Sequence, residues 1–261
     1  MEKKQTLLLP ILIFVFLTVR FFFVQYINDW LGLDTRSFTS AETLVYQAVW
    51  YLFPLLIILP IFYPLNKILP SLGLYKNPFN GLLTAVILTS PMILAYPFIG
   101  SWPDRDLVRS ALILSLFAGF FEELFFRGFV FGQLFRKAGW GFVPAAAIPG
   151  LFFAAGHLYQ SSDLQGAFVV FGITLLGAAW FSWLFAESGY NIWLIIFLHF
   201  FMNLSWGLFS IDSTAAGSWI ANIPRIITIG LSIAYILIFV KRKQKLQVNR
   251  LNLWRNEAER I

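Results

Sequence analysis

The sequence predicts an all-α, polytopic membrane protein with about eight transmembrane helices. Hydrophobic residues make up 59% of the 261 positions, charged residues only 12%, and the mean hydropathy is +0.74. A soluble domain carries about 25% charged residues, so this composition excludes an ordinary soluble protein. The apolar residues are grouped into stretches that can cross a bilayer core, which takes about 20 helical residues. Cysteine is absent, which excludes disulfides, iron–sulfur clusters and zinc–thiolate sites.

Eight apolar stretches are predicted to be spans. They run approximately over residues 7–27, 45–65, 82–99, 108–131, 142–158, 167–185, 192–209 and 220–240. Lys3 and Lys4 precede the first stretch, and no small-residue cleavage pattern follows it. We therefore expect a retained helix rather than a cleaved signal peptide.

The distribution of basic residues predicts the orientation of these spans. With a cytoplasmic N-terminus, the inner segments hold thirteen basic residues: Lys3, Lys4, Lys67, Lys76, Arg136, Lys137, Lys241, Arg242, Lys243, Lys245, Arg250, Arg255 and Arg260. The outer segments hold three: Arg36, Arg105 and Arg109. They also hold six aspartates: Asp29, Asp34, Asp104, Asp106, Asp163 and Asp212. This bias predicts that both termini are cytoplasmic. For the basic tail it favours attraction to the bilayer surface over nucleic-acid binding.

Two glutamates and an arginine interrupt the fourth predicted span. Because Glu123 and Arg127 are four residues apart, they share a helix face and can form an ion pair. Glu122 is rotated by about 100° and has no such local partner. A charge in hydrocarbon costs about 2.5 kcal/mol or more, so each charged residue here needs a reason. An ion pair that only anchors the helix gives a reason for Glu123 and Arg127 but none for Glu122. We interpret Glu122 as a candidate general base that faces a cavity.

The only two histidines and one asparagine supply further polar groups. His157 ends the fifth predicted span, one turn after Phe153, where a histidine alone is typical of an interfacial position. His199 and Asn203 lie four residues apart on an otherwise apolar stretch and project from one face. Together with Glu122 they form the set that amide hydrolysis needs: a base for water and donors for the developing oxyanion. By residue counting, Glu122 and His199 lie near mid-membrane and His157 near the outer end.

The ordered set Glu122-Glu123-x-x-x-Arg127, Phe153-x-x-x-His157 and His199-x-x-x-Asn203 resembles the CPBP intramembrane proteases. That family includes type II CAAX prenyl endopeptidases and bacteriocin-immunity (Abi) proteins. The motifs lie in about the fourth to the seventh span, and the resemblance implies a catalytic helical core over residues 107–210. N-terminal transmembrane helices over 1–106 and a last helix with a basic cytoplasmic tail over 211–261 flank this core and add no evidence for the family.

The resemblance also implies roles for the residues of the site. Glu122 would activate the water, His157, His199 and Asn203 would contribute to the polar site, and Glu123 and Arg127 would support it. The sequence has no His-Glu-x-x-His zinc signature, so we favour a metal-free glutamate protease. Zinc held by the two histidines and a carboxylate stays open as the alternative.

The expected substrate is a membrane-associated peptide or protein in the lipid bilayer, with no nucleic-acid partner. Prenylated CAAX peptides, peptide pheromones or bacteriocins, and membrane proteins all fit the resemblance, and we expect a bacterial cell membrane and a substrate other than CAAX proteins. Two other classes stay open: a non-catalytic membrane scaffold or immunity protein, and a proton-coupled transporter, since intramembrane Glu, Arg and His also mark proton relays. A relay more often spreads its acids over several spans, whereas both acids here are adjacent.

Overall fold

The computed structural model describes residues 3–256, with side chains from residue 7 onward. The side chains of Lys3, Lys4 and Arg260, counted above, lie outside the described residues. Within this part the protein is all-helical and contains no β-strand, which confirms the predicted fold class.

Ten α-helices follow one another along the chain. They are α1 (Lys3–Thr18), α2 (Val24–Trp30), α3 (Ser40–Phe62), α4 (Leu65–Ser71), α5 (Pro78–Ile99), α6 (Arg105–Phe117), α7 (Phe142–Ala155), α8 (Leu164–Glu187), α9 (Ile192–Leu208) and α10 (Trp219–Tyr235). A π-type turn, Val19–Phe23, joins α1 to α2, and another, Ile236–Val240, extends α10.

Helix α6 continues without a break to residue 137. Its continuation consists of wide π-type turns at Ala118–Glu122, Leu124–Phe131 and Gln133–Lys137. Such turns are rare in proteins and are often found at functional sites. We refer to the whole element as the 105–137 helix. It holds both glutamates and Arg127, and it extends six residues beyond the end that the sequence predicted.

The described helices account for about eight spans. Six are long and apolar enough to cross a membrane: Leu7–Trp30, Ser40–Phe62, Pro78–Ile99, Phe142–Gln160, Leu164–Glu187 and Trp219–Val240. Helix α9 is apolar but shorter, and the 105–137 helix carries the charged residues of the site. These two together with the six confirm the predicted number. The protein is therefore an integral membrane protein.

A close approach between two helices positions the site. A Cβ atom at Gly119 would lie 2.8 Å from the carbonyl oxygen of Ile196, so only a glycine lets α9 come this near to the 105–137 helix. Glu123 lies one turn after Gly119, and His199 lies about one turn after Ile196. The glycine contact therefore brings Glu123 and His199 next to each other.

The chain after α10 folds back onto the end of the bundle where the 105–137 helix ends. The carboxylate of Glu187, at the end of α8, accepts hydrogen bonds of 2.8 Å from the backbone N–H groups of Gln247 and Val248. The carbonyls of Asn252 and Leu253 accept from the first two N–H groups of α7, at 2.9 Å each. These contacts satisfy groups that a helix terminus leaves unpaired, and they make residues 244–256 part of the fold.

Candidate active site

Glu123 is the centre of a buried network of charged and polar groups. Its Oε1 atom accepts a hydrogen bond of 2.9 Å from Nη1 of Arg127 and one of 2.6 Å from Nδ1 of His199. Glu123 is 0% exposed and Arg127 is 2% exposed. The predicted ion pair is therefore present, and it is buried in the bundle rather than directed toward the cytoplasm.

Two aromatic rings hold Arg127 in place. Its Cζ atom lies 4.8 Å from the ring centroid of Phe153 and 5.2 Å from that of Phe181. A guanidinium is attracted to the faces of aromatic rings, so these contacts compensate part of the cost of its burial. They also tie the 105–137 helix to α7 and α8 at the level of the site.

His199 connects the ion pair to Asn203. A carboxylate can only accept, so Nδ1 of His199 carries the proton that is shared with Glu123. Its Nε2 atom accepts from Nδ2 of Asn203 at 3.0 Å. His199 is buried whereas Asn203 is exposed. A chain of hydrogen bonds thus links Arg127, Glu123, His199 and Asn203, from a fully buried cation to an exposed carboxamide.

Glu122 faces a different environment from its neighbour. It is half-buried and lines a cavity of about 550 Å³ between the π-type turn Val19–Phe23, α2, α3, the 105–137 helix and α7. The other polar groups of the lining belong to Arg20, Gln25, Asn28, Thr35, Tyr46, Gln47, Tyr51, His157 and Tyr159. Glu122 is therefore the glutamate of the pair that water can reach through this cavity.

His157 lies on the wall of the same cavity with a fixed ring. Its Nδ1 atom donates to the carbonyl oxygen of Phe153 at 2.7 Å, and the two rings pack with centroids 4.4 Å apart. Since a carbonyl oxygen only accepts, Nδ1 carries the proton and Nε2 is the unprotonated nitrogen of the neutral ring. Phe153 thus packs on the ring of His157.

The structure brings the predicted residues together in two groups rather than one. Glu122 and His157 share the cavity, whereas His199 and Asn203 meet Glu123 and do not line that cavity. The sequence groups His199 and Asn203 with Glu122 in one set for amide hydrolysis. The difference arises because adjacent residues of a helix project in directions about 100° apart, and α9 packs against the face that carries Glu123.

Two residues of the cavity were missed by the sequence analysis. Arg20 lies in the most apolar of the spans, and its Cζ atom lies 4.5 Å from the ring centroid of Tyr51. A signal was present, because an ionisable residue within a span indicates a functional position by default. Tyr51 gave no signal, since a tyrosine in an aromatic-rich helix is common.

The structure places the two histidines of the zinc alternative in different groups. Zinc at a catalytic site takes three protein ligands that converge on one point. Both ring nitrogens of His199 are already engaged, one with Glu123 and one with Asn203, and His157 lies with Glu122 instead. Among residues 3–256, no group of three or more histidine, aspartate or glutamate side chains could hold a metal ion.

The fold and this site define a polytopic membrane protein that buries a hydrogen-bonded Glu123–Arg127–His199 cluster beside a glutamate that lines a cavity. The comparison with known families agrees: residues 104–205 match the family described as type II CAAX prenyl endopeptidase Rce1-like. The match confirms the resemblance to the CPBP membrane proteases, and it covers every residue of the three motifs. No curated protein and no solved structure matches the chain.

Proposed function

We propose that the protein is an intramembrane endopeptidase in which Glu122 activates the water that cleaves a peptide bond. The match to a membrane-protease family supports hydrolysis of a membrane-associated peptide or protein. The observation that supports Glu122 as the general base is the difference between two adjacent carboxylates. Glu122 borders a cavity together with His157, whereas Glu123 is 0% exposed and already bonded to Arg127 and His199.

In this mechanism Glu122 removes a proton from a water molecule in the cavity. The water oxygen adds to the carbonyl carbon of the peptide bond, and Glu122 then gives the proton to the amide nitrogen as the C–N bond breaks. His157 faces the same space with Nε2 available to accept a hydrogen bond from the water. The hydrogen bond to Phe153 keeps its ring and tautomer fixed, so no reorganisation is needed at the moment of reaction.

Asn203 is the candidate donor for the developing oxyanion in this proposal, and this role requires the scissile carbonyl to lie between Asn203 and the cavity that Glu122 lines. One of its N–H groups is bonded to His199, and the carboxamide is exposed. The other N–H of the amide is then available to a substrate carbonyl. His199 acts by holding Asn203 in position, and Glu123 with Arg127 holds His199. Preorganised donors of this kind commonly account for a large part of catalysis.

The test of this function is the conservative change Glu122→Gln, which keeps the volume of the side chain and removes the base. We expect the peptides released in membranes that contain the wild-type protein to be absent with Glu122→Gln. The variant should remain folded, as judged by its thermal unfolding in detergent. The matched control is Glu42→Gln, the same change at an exposed helix cap, which should keep activity.

Equal peptide release by Glu122→Gln and wild type would contradict the proposed mechanism, and release equal to that of membranes without the protein would favour the scaffold or transporter. Metal analysis of the purified, active protein tests the metal-free part of the proposal. Stoichiometric zinc, with activity lost to chelation and restored by zinc, would contradict that part.

A further inference from the structure

The cavity beside Glu122 has its rim at one end of the bundle. Asn28 at the end of α2, Thr35 in the loop that follows, and Tyr159 after α7 all line it. Its deeper wall consists of Glu122, Tyr51 and other residues within the helices. Openings to solvent therefore lie where the chain connects α2 to α3 and α7 to α8.

The opposite end of the bundle is closed beneath the two glutamates. Every residue of the 105–137 helix from Glu123 onward is buried. Phe131 and Phe135 stack with ring centroids 5.4 Å apart, and each packs edge-on against Phe142 at the start of α7. This aromatic layer packs that end of the core, next to the buried side chains of Gln133, Arg136 and Lys137.

The chain after α10 covers this closed end from outside. Nδ2 of Asn256 donates to the carbonyl of Phe135 at 3.0 Å, and the N–H of Asn256 donates to the carbonyl of Gly139 at 3.0 Å. Trp254 packs so closely on Gly141 that a side chain there would collide with its backbone. The C-terminal segment therefore adds a second layer over the aromatic one.

The charges at the two ends differ in sign. The helix ends and loops on the side of the rim carry six aspartates, Asp29, Asp34, Asp104, Asp106, Asp163 and Asp212, against three arginines, Arg36, Arg105 and Arg109. The closed end carries Lys67, Lys76, Arg136, Lys137, Lys241, Arg242, Lys243 and Lys245. Basic residues are retained on the cytoplasmic side of a membrane. The closed end is then the cytoplasmic one, and the cavity opens outward.

We propose that the active site is reached only from the extracytoplasmic side and that its substrate is a peptide or protein segment presented at the outer face. That a substrate exists rests on the proposed function, and the orientation of the cavity rests on the charge distribution. A prenylated protein end in the cytoplasm would meet the closed face, where the aromatic layer and the C-terminal segment separate it from Glu122. The outward opening thus selects among the substrate classes that the family resemblance admits.

The absence of cysteine from the chain allows a direct test. Thr35→Cys at the rim and Gln47→Cys in the wall place a thiol in the cavity. Val49→Cys is the matched control, because Val49 lies on the same helix, is 56% exposed and does not line the cavity. Lys243→Cys marks the closed end. Each variant is treated with a membrane-impermeant maleimide, which reacts with a hydrated thiolate, in intact bacterial cells and in inverted vesicles.

We expect Thr35→Cys and Gln47→Cys to be labelled in intact cells but not in inverted vesicles. Lys243→Cys should be labelled in inverted vesicles but not in intact cells. Val49→Cys should not be labelled in either preparation. Labelling of the two cavity variants from the same side as Lys243→Cys would overturn the proposal. So would failure of Gln47→Cys to react from either side while Thr35→Cys reacts.

A second readout addresses the substrate. A bulky impermeant maleimide added outside cells with Gln47→Cys should reduce Glu122-dependent peptide release to the level of the Glu122→Gln variant. Undiminished release from a fully labelled protein would overturn the outer-face route. Labelling itself needs no turnover, so an inactive protein with the expected labelling would count against the endopeptidase and leave the outward opening in place.

Discussion

Two adjacent glutamates illustrate how strongly the surroundings of a residue determine its chemistry. Glu122 borders a cavity, while Glu123 is enclosed with a cation and an imidazole. A buried ion pair costs desolvation energy that its attraction only partly repays, but removing one partner leaves a stranded charge. The ion pair with Arg127 therefore fixes the position of Glu123, whereas Glu122 has no such ion pair within the described residues.

Glu123→Gln should destabilise the fold, because it leaves the buried guanidinium of Arg127 without its counter-charge. The expected loss is about 3–5 kcal/mol in the free energy of unfolding, the range for breaking a buried pair. Unfolding in detergent measures it, and Glu122→Gln serves as the matched control with a small effect. A Glu123→Gln variant as stable as Glu122→Gln would show that the ion pair does not hold the helix.

Asn203→Ala tests the assignment of the oxyanion donor. If its carboxamide stabilises only the transition state, kcat should fall by about 10²–10³-fold with little change in substrate affinity. Asn203→Asp should be at least as harmful, because it places negative charge where negative charge must develop. A rise in KM at unchanged kcat for Asn203→Ala would instead indicate a role in ground-state binding.

Contacts within one element are the part of the site that the sequence predicts well. The pairs Glu123–Arg127, Phe153–His157 and His199–Asn203 are each four residues apart, and each is observed in contact. Helix geometry alone fixes which residues share a face. The 2.6 Å contact between Glu123 and His199 joins residues 76 apart. It depends on the packing of α9 at Gly119, which no local pattern encodes.

The sequence also did not predict where the helices end. Arg136 and Lys137 were expected in an inner loop, but they belong to the 105–137 helix and are buried against tyrosine rings. Their alkyl stems and cation–π contacts make burial tolerable, so charge alone does not mark the helix end. Likewise, the tail docks on α7 and α8 mainly through its own backbone N–H and carbonyl groups, which leave no compositional signal.

Glu187→Ala should release this docked tail. The change removes the acceptor of two charge-assisted hydrogen bonds from Gln247 and Val248, each contributing about 1.5–3 kcal/mol. We expect faster trypsin cleavage among Lys241, Lys243 and Lys245 in inverted vesicles, with the helices left intact. Glu187→Gln, which keeps an acceptor oxygen, is the matched control and should be cleaved at an intermediate rate. Cleavage of Glu187→Ala at the wild-type rate would contradict the anchoring role.

At the scale of the whole molecule, the site and the charge distribution form one asymmetric arrangement. The polar cavity begins at the end that carries the aspartates, and the aromatic layer with the docked tail lies at the end that carries the lysines and arginines. Some of those aspartates also cap helices: Asp104 caps α6 and Asp163 caps α8. Acidic residues at the outer end thus favour the helix starts, while the orientation in the membrane follows from the basic residues at the other end.

The orientation predicts the outcome of reporter fusions along the chain. Fusions after Lys137 and after Val240 should read as cytoplasmic, and a fusion after Asp212 should read as external. The physical reason is the excess of thirteen basic residues over three, because basic segments resist transfer across the membrane. The helix order supports the same pattern, since the 105–137 helix and α10 end at one face and α9 ends at the other. A cytoplasmic reading at Asp212 would contradict the orientation, and with it the outer-face route to Glu122.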